Sequence, residues 1–107
     1  MAKVKAKKLT VDAAPGADFY DWYQRDAAPD VADWMAGIDA GDVSDRFATT
    51  DIPEASIPEI EGTFDFCVIQ KDAAGNESDP ATFGGWVGVP LDLSPPAPAT
   101  GGQIVDA

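Results

Sequence analysis

The stretch from Gly62 to Lys71, G-T-F-D-F-C-V-I-Q-K, constrains this chain more than any other. Phe64, Phe66 and Val68 recur at every second position, and Asp65, Cys67 and Ile69 fill the places between them. Period two is the signature of a β-strand, whose side chains alternate between the two faces of a sheet. One strand cannot stand alone, so the rest of the chain must supply its partners.

Candidates for those partners are spread along the sequence. Residues 3–11 alternate around Val4, Leu9 and Val11, with a slip at Lys7-Lys8, and Pro15-Gly16 marks the turn that follows. Ala17 to Arg25 is dense in aromatics. Tyr20 and Trp22 share one face while Phe19, Asp21 and Tyr23 share the other, the pattern of a central strand covered on both sides. Val43 to Thr50 reads as another strand. Pro53 and Pro58 each lack a ladder donor, so the segment around them is an edge strand or an extended connector. Ile52, Ile57 and Ile60 are expected to point inward from it. Asp72 to Pro80 is a polar turn in which Gly75-Asn76 is expected to supply positive φ. Thr82 to Leu93 is expected to form a last strand, with its glycines and Pro90 marking bulges and an edge position.

The stretch 26–41 has a different rhythm. Val31, Trp34, Met35 and Ile38 follow helical spacing, Asp30 is a candidate N-cap, and Gly37 and Gly41 are candidate stops. A short helix and an aromatic-anchored loop near 30–41 both satisfy that pattern. The chain thus divides into a basic arm (1–8), a β-rich body (9–93) and a Pro/Ala/Gly-rich tail (94–107). The body is expected to be an all-β, antiparallel β-sandwich of about six to seven strands. Its core is expected to hold Tyr20, Trp22, Ile60, Phe64, Phe66 and Val68.

At Gly62 to Pro80 the pattern becomes more specific. G-T-F-D-F-C-V-I-Q-K-D-A-A-G-N-E-S-D-P resembles the strand F and F–G turn of bacterial fibronectin type III domains, which are immunoglobulin-like. That family shows an aromatic start, alternating inward apolar residues, then D-x-x-G-N-E-S. Leu9 to Val11 and the stretch A-A-P-G-A-D-F-Y-D-W-Y are similar to its strands B and C, and Ile60 to Phe64 is similar to its L-x-P-G-T-x-Y corner. The resemblance covers residues 9–90. Phe64 stands where the corner tyrosine would be, Gln70 replaces a small inward residue, and the segment before strand B is short and lysine-rich. The first strand of the family is therefore expected to be shortened or missing, which leaves an open sheet edge. The resemblance implies a scaffold that acts as a spacer or binding module, with no reaction attached to it.

Charge narrows the function classes. The 107 residues carry 7 Lys+Arg against 19 Asp+Glu, a net charge of −12, with no histidine. Lys3, Lys5, Lys7 and Lys8 take four of those cations, so residues 9–107 carry three cations against all nineteen acids. Nucleic acid is not an expected partner, because its phosphates call for a basic surface. Histidine acid–base chemistry and histidine metal ligation are excluded outright. The single Cys67 excludes a disulfide framework, and its place between Phe66 and Val68 reads as a small thiol packed on the second face. No run of about 18 apolar residues exists, so membrane insertion is not expected. Met1 to Lys8 has the look of a secretory n-region, but no apolar stretch follows. The expectation is no Sec signal and cytoplasmic synthesis, with use there or incorporation into a virion or other exported assembly.

Chemistry-bearing patterns are few. Asp39, Asp42 and Asp45 are a weak calcium candidate, but their spacing is not that of an EF-hand, and an acidic solvated turn explains them. No phosphate-binding glycine loop and no G-x-S-x-G elbow occurs. No enzymatic activity and no cofactor are expected. Partner contacts are expected at Trp34, Met35 and Ile38, at Lys3 and Lys5 in the arm, and at Ile104 and Val105 in the tail, a short apolar pair able to dock. The leading expectation is a structural or adhesive module of a larger assembly, such as a phage particle or filament. It would contact neighbouring proteins through sheet edges and terminal segments, as part of an oligomer. The alternatives are a carbohydrate- or peptide-binding module using exposed Tyr23 and Trp34, and a calcium-stabilised extracellular adhesion domain.

Overall fold

A computed structural model of the chain describes residues 6–106, so Lys3, Val4 and Lys5 lie outside the described residues. Its elements run β1 (Lys8–Thr10), β2 (Phe19–Asp26), α1 (Val31–Asp39), β3 (Arg46–Thr50), β4 (Glu54–Ser56), β5 (Gly62–Lys71) and β6 (Val89–Leu91). The protein is mostly β, with two antiparallel sheets: β1 with β4, and a four-stranded sheet in the order β3-β2-β5-β6.

The alternating stretch is the spine. β5 pairs with all eight residues of β2, from Phe19 opposite Lys71 to Asp26 opposite Phe64. That register sets Trp22 against Val68 and Tyr23 against Cys67. Period two then sorts the side chains by face. Tyr20, Trp22, Phe64, Phe66 and Val68 go to one side and meet Leu9 of β1, Ala55 of β4 and Leu91 of β6 in one buried cluster. Trp22 and Phe66 are fully buried, and each such side chain contributes roughly 1.5–3 kcal/mol of apolar burial. The Trp22 indole N–H is satisfied as well, donating to Thr50 Oγ1 at 2.8 Å.

The opposite face of the four-stranded sheet carries Tyr23, Cys67 and Ile69, all buried. Helix α1 covers them with Ile38, Trp34 and Met35, so of the two readings of the 30–41 stretch the helix is the one realised. Asp30 occupies the N-cap position but makes no capping hydrogen bond; its carboxylate goes to Arg25 Nη1 at 2.7 Å instead. Gly37 lies inside the helix, and the turn after it uses Gly41 at φ +103°. Gly62 opens β5 at φ +148°, and a Cβ there would meet the Phe64 ring at 3.0 Å, so a side chain at that position is doubly opposed.

Several expectations are corrected. Ile60, expected in the core, is 55% exposed, and Ile52 is 50% exposed; only Ile57 packs against the buried cluster. The bonds to β1 run only from Pro53 to Ile57, so the period-two pattern reaches neither Ile52 nor Ile60. Residues 82–93 do not form one strand: a 3₁₀ turn at Gly84–Trp86 precedes the short β6. Consecutive glycines leave that stretch without side chains to pack on a sheet. Strand β1 is three residues long within the expected 3–11. In the 72–76 turn only Gly75 has positive φ, at +87°; Asn76 instead closes the turn by donating its backbone N–H to Asp72 Oδ1 at 2.8 Å. Residues 94–106 form no regular element.

Candidate functional site

Two regions gather unusual side chains, one on each side of the four-stranded sheet. The first is a groove beside β1. The ladder alternation there is fixed by two bonds: the Lys7 carbonyl accepts the Ile57 N–H at 2.9 Å, and the Val11 N–H donates to the Pro53 carbonyl at 3.1 Å. With Leu9 opposite Ala55 between them, the odd residues face β4. The N–H and C=O of Lys8 and Thr10 therefore point away from β4, and among the described residues no strand pairs with them.

That edge opens onto a groove of about 510 Å³ lined by Thr10, Val11, Val68, Gln70, Phe83 and Trp86, among others. Its aromatic floor is continuous with the core. Phe83, 50% exposed, meets Trp86 edge-on at 4.8 Å, and Trp86 lies 6.1 Å from the buried Trp22. On the far side, the β5 edge is already occupied. Val68 and Ala81 exchange two backbone bonds of 3.0 and 2.9 Å, and the Thr82 hydroxyl donates to the Phe66 carbonyl at 2.7 Å. The other edge strands are blunted: β4 lies between Pro53 and Pro58, and β6 has Pro90 at its centre. β3 carries Arg46 and runs through residues 51–53 into β4. The β1 edge thus combines open backbone groups with an apolar floor.

The second region is a charged network on the helix-covered face. Asp65 is fully buried and accepts three hydrogen bonds: from Arg25 Nε at 3.1 Å, Ala28 N–H at 3.2 Å and Gly88 N–H at 2.8 Å. Arg25 also pairs with Asp30 and stacks over the Trp34 ring at 4.8 Å. Further along the face, the buried Asp21 meets Lys71 Nζ at 2.7 Å, Thr49 Oγ1 at 2.7 Å and Arg46 Nη1 at 3.7 Å. Burial pushes the Asp21 carboxyl up, but the bonds from Lys71 and Thr49 and the nearby positive charges outweigh it, so its pKa lies below the ordinary carboxylate value. The Asp21 hydrogen bond in turn holds the Lys71 ammonium above the usual lysine value, with Glu77 adding to it against the opposing effect of burial. Burial, then the Asp21 charge, raises the Tyr23 hydroxyl. These groups satisfy one another, so the network binds sheet, helix and loop together. Asp21 and Asp65 escaped the sequence reading as functional positions; the available signal was their alternation with buried apolar residues, with Arg25 and Lys71 across the ladder.

The residues expected to bind partners fall differently. Trp34 and Met35 turn toward the sheet, Ile38 is 3% exposed, and the Trp34 Nε1–H donates to Asp45 Oδ2 at 2.9 Å, so these three anchor the helix. Tyr23, proposed as an exposed aromatic, is 2% exposed. Asp39, Asp42 and Asp45 do not converge: Asp42 accepts the Ser44 N–H and hydroxyl, and Asp45 holds Trp34. Among the described residues, no three acidic or cysteine side chains are grouped to hold a metal ion. Burial pushes the Cys67 thiol up to about 11, which removes it as a nucleophile. Ile104 stands fully in solvent and Val105 is largely exposed, so the pair is not docked on its own body. No described helix is long and apolar enough to cross a membrane. The chain matches no protein-family model, no curated protein and no solved structure.

Proposed function

We propose that this chain is a non-enzymatic structural and interaction module, a subunit or decoration protein of a larger assembly such as a phage particle or filament. It contacts neighbouring proteins through a sheet edge and its terminal segments. The observation that carries the reading is the β1 edge, where Lys8 and Thr10 offer backbone groups that no strand pairs with among the described residues, beside the Phe83–Trp86 floor. Backbone addition to such an edge supplies affinity through main-chain bonds, and the groove supplies selectivity through the side chains it accepts.

We further propose an immunoglobulin-like, fibronectin type III-like sandwich whose first strand is shortened or missing. In support, one buried cluster draws from both the β1–β4 pair and the four-stranded sheet. The placement of β1, β2, β5 and β6 suits strands B, C, F and G of that family, with β4 and β3 beside them. The family's first strand would lie against β1, at the edge that stays open among the described residues. Light scattering over a concentration series tests the interaction reading. A mass that climbs above the 11.2 kDa of one chain supports it, and a strict monomer at every concentration contradicts it as far as self-assembly goes.

A further inference from the structure

We infer that the occupant of the β1 edge is residues 103–106 of a second copy of this chain, added as an antiparallel strand. The inference rests on the interaction-module reading above and names its partner.

Four observations lead to it. Ile104 and Val105 are the most exposed large apolar side chains described, at 104% and 74%, and nothing on their own body covers them. They are carried on Ser94 to Gly102, where Pro95, Pro96 and Pro98 favour an extended conformation of ~3.1 Å per residue and Gly101 turns at φ +71°. In this structure neither residue of the pair lines its own groove, which leaves both free to meet another molecule. The third observation is charge. Residues 94–105 carry no charged side chain, whereas the body repels a second acidic body, so up to Asp106 the tail is the part of a neighbour that meets the least electrostatic repulsion.

The fourth observation fixes direction. An antiparallel addition lays the end of the segment, Asp106, beside the start of β1, where Lys7 makes no ion pair among the described residues. It also lets Ile104 enter the groove over Phe83 and Trp86 while its neighbours turn outward. Donor segment and acceptor edge are different surfaces, so the contact is head-to-tail and builds rings or filaments rather than a closed symmetric pair.

The test uses complementary defects in the full chain. Ile104→Asp disables the donor and keeps the acceptor. Thr10→Pro removes an outward N–H and leaves the bonds to β4 in place; Phe83→Asp removes the floor, and serves if the proline variant fails to fold. Wild type is expected to grow in mass with concentration, and each variant alone to stay monomeric. An equimolar mixture of Ile104→Asp with either acceptor variant is expected to reach about twice the monomer mass, because one intact donor and one intact acceptor remain. Ile104→Asp chains that associate as wild type does overturn this occupant while leaving the edge reading intact. A monomeric wild type whose melting temperature falls on Ile104→Asp substitution shows the segment closing on its own groove, and overturns the second copy as partner. A monomeric wild type with no such shift overturns both the inference and the self-assembly reading on which it rests.

Discussion

Asp65 Oδ2 accepts a hydrogen bond from Arg25 Nε at 3.1 Å across the β2–β5 ladder, with the carboxylate wholly out of water. The same carboxylate holds the Ala28 N–H that leads into α1 and the Gly88 N–H that leads into β6. One side chain therefore ties the sheet to the helix on one side and to the last strand on the other. Asp65→Ala leaves a half-buried guanidinium and two backbone donors short of a partner. The expected cost is about 3 kcal/mol in chemical denaturation, the usual penalty for removing one member of a buried pair. A loss below about 1 kcal/mol would show that Asp30 alone suffices for Arg25.

Acid sensitivity follows from Asp21. Its pKa is lowered in the fold from the ordinary 3.8, so the folded state binds this proton less readily than the unfolded state. The stability it contributes is fully present above 3.8 and is lost as pH falls through the lower folded value. Asp42 and Asp72, lowered by bonds from Ser44 and Asn76, act with the same sign. Asp21→Asn is expected to lower stability at neutral pH and to flatten the decline below pH ~4 measured by denaturant titration. An acid limb as steep as that of wild type would remove Asp21 from this role.

Cys67 gives a third expectation. Its thiol is fully buried and is pushed up to about 11, so at neutral pH it is both shielded and protonated. A disulfide-exchange reagent is expected to leave it untouched in the native protein and to modify it fully after denaturation. Rapid native modification would mean that α1 does not stay on the sheet.

The core makes a fourth. Phe66→Ala is expected to cost roughly 3–5 kcal/mol and Ile60→Ala under about 0.5 kcal/mol, since the first empties a packed site and the second trims an exposed side chain. Equal costs in thermal or denaturant unfolding would return Ile60 to the interior.

That contrast shows where the sequence could be read. Strand β5 was legible to its ends, because strict alternation from Gly62 to Lys71 is imposed by burial on both faces. Tyr20 and Trp22 were placed in the core for the same reason, and the six strands fall within the expected count. The 31, 34, 35 and 38 spacing admits a helix or a loop, and the helix is what forms, but a single sequence does not say which surface a stripe meets. Trp34, Met35 and Ile38 looked like partner anchors until Tyr23, Cys67 and Ile69 were seen beneath them. Ile60 misled because prolines end the ladder around β4, and period two carries no information outside a ladder. Buried Asp21 and Asp65 were hidden by abundance, since nineteen acids make any one of them look solvated. The Phe83–Trp86 floor was hidden by distance, because the groove joins the 10–12 and 81–86 stretches only in the fold.

Residue-resolved amide hydrogen exchange of the dilute, monomeric chain tests the central claim most directly. Leu9 and Val11 face β4 in the ladder, so their amides are expected to exchange slowly, while those of Lys8 and Thr10 exchange at close to open-chain rates. Uniform protection across all four amides would mean the edge is already covered in the isolated molecule, and would contradict the account.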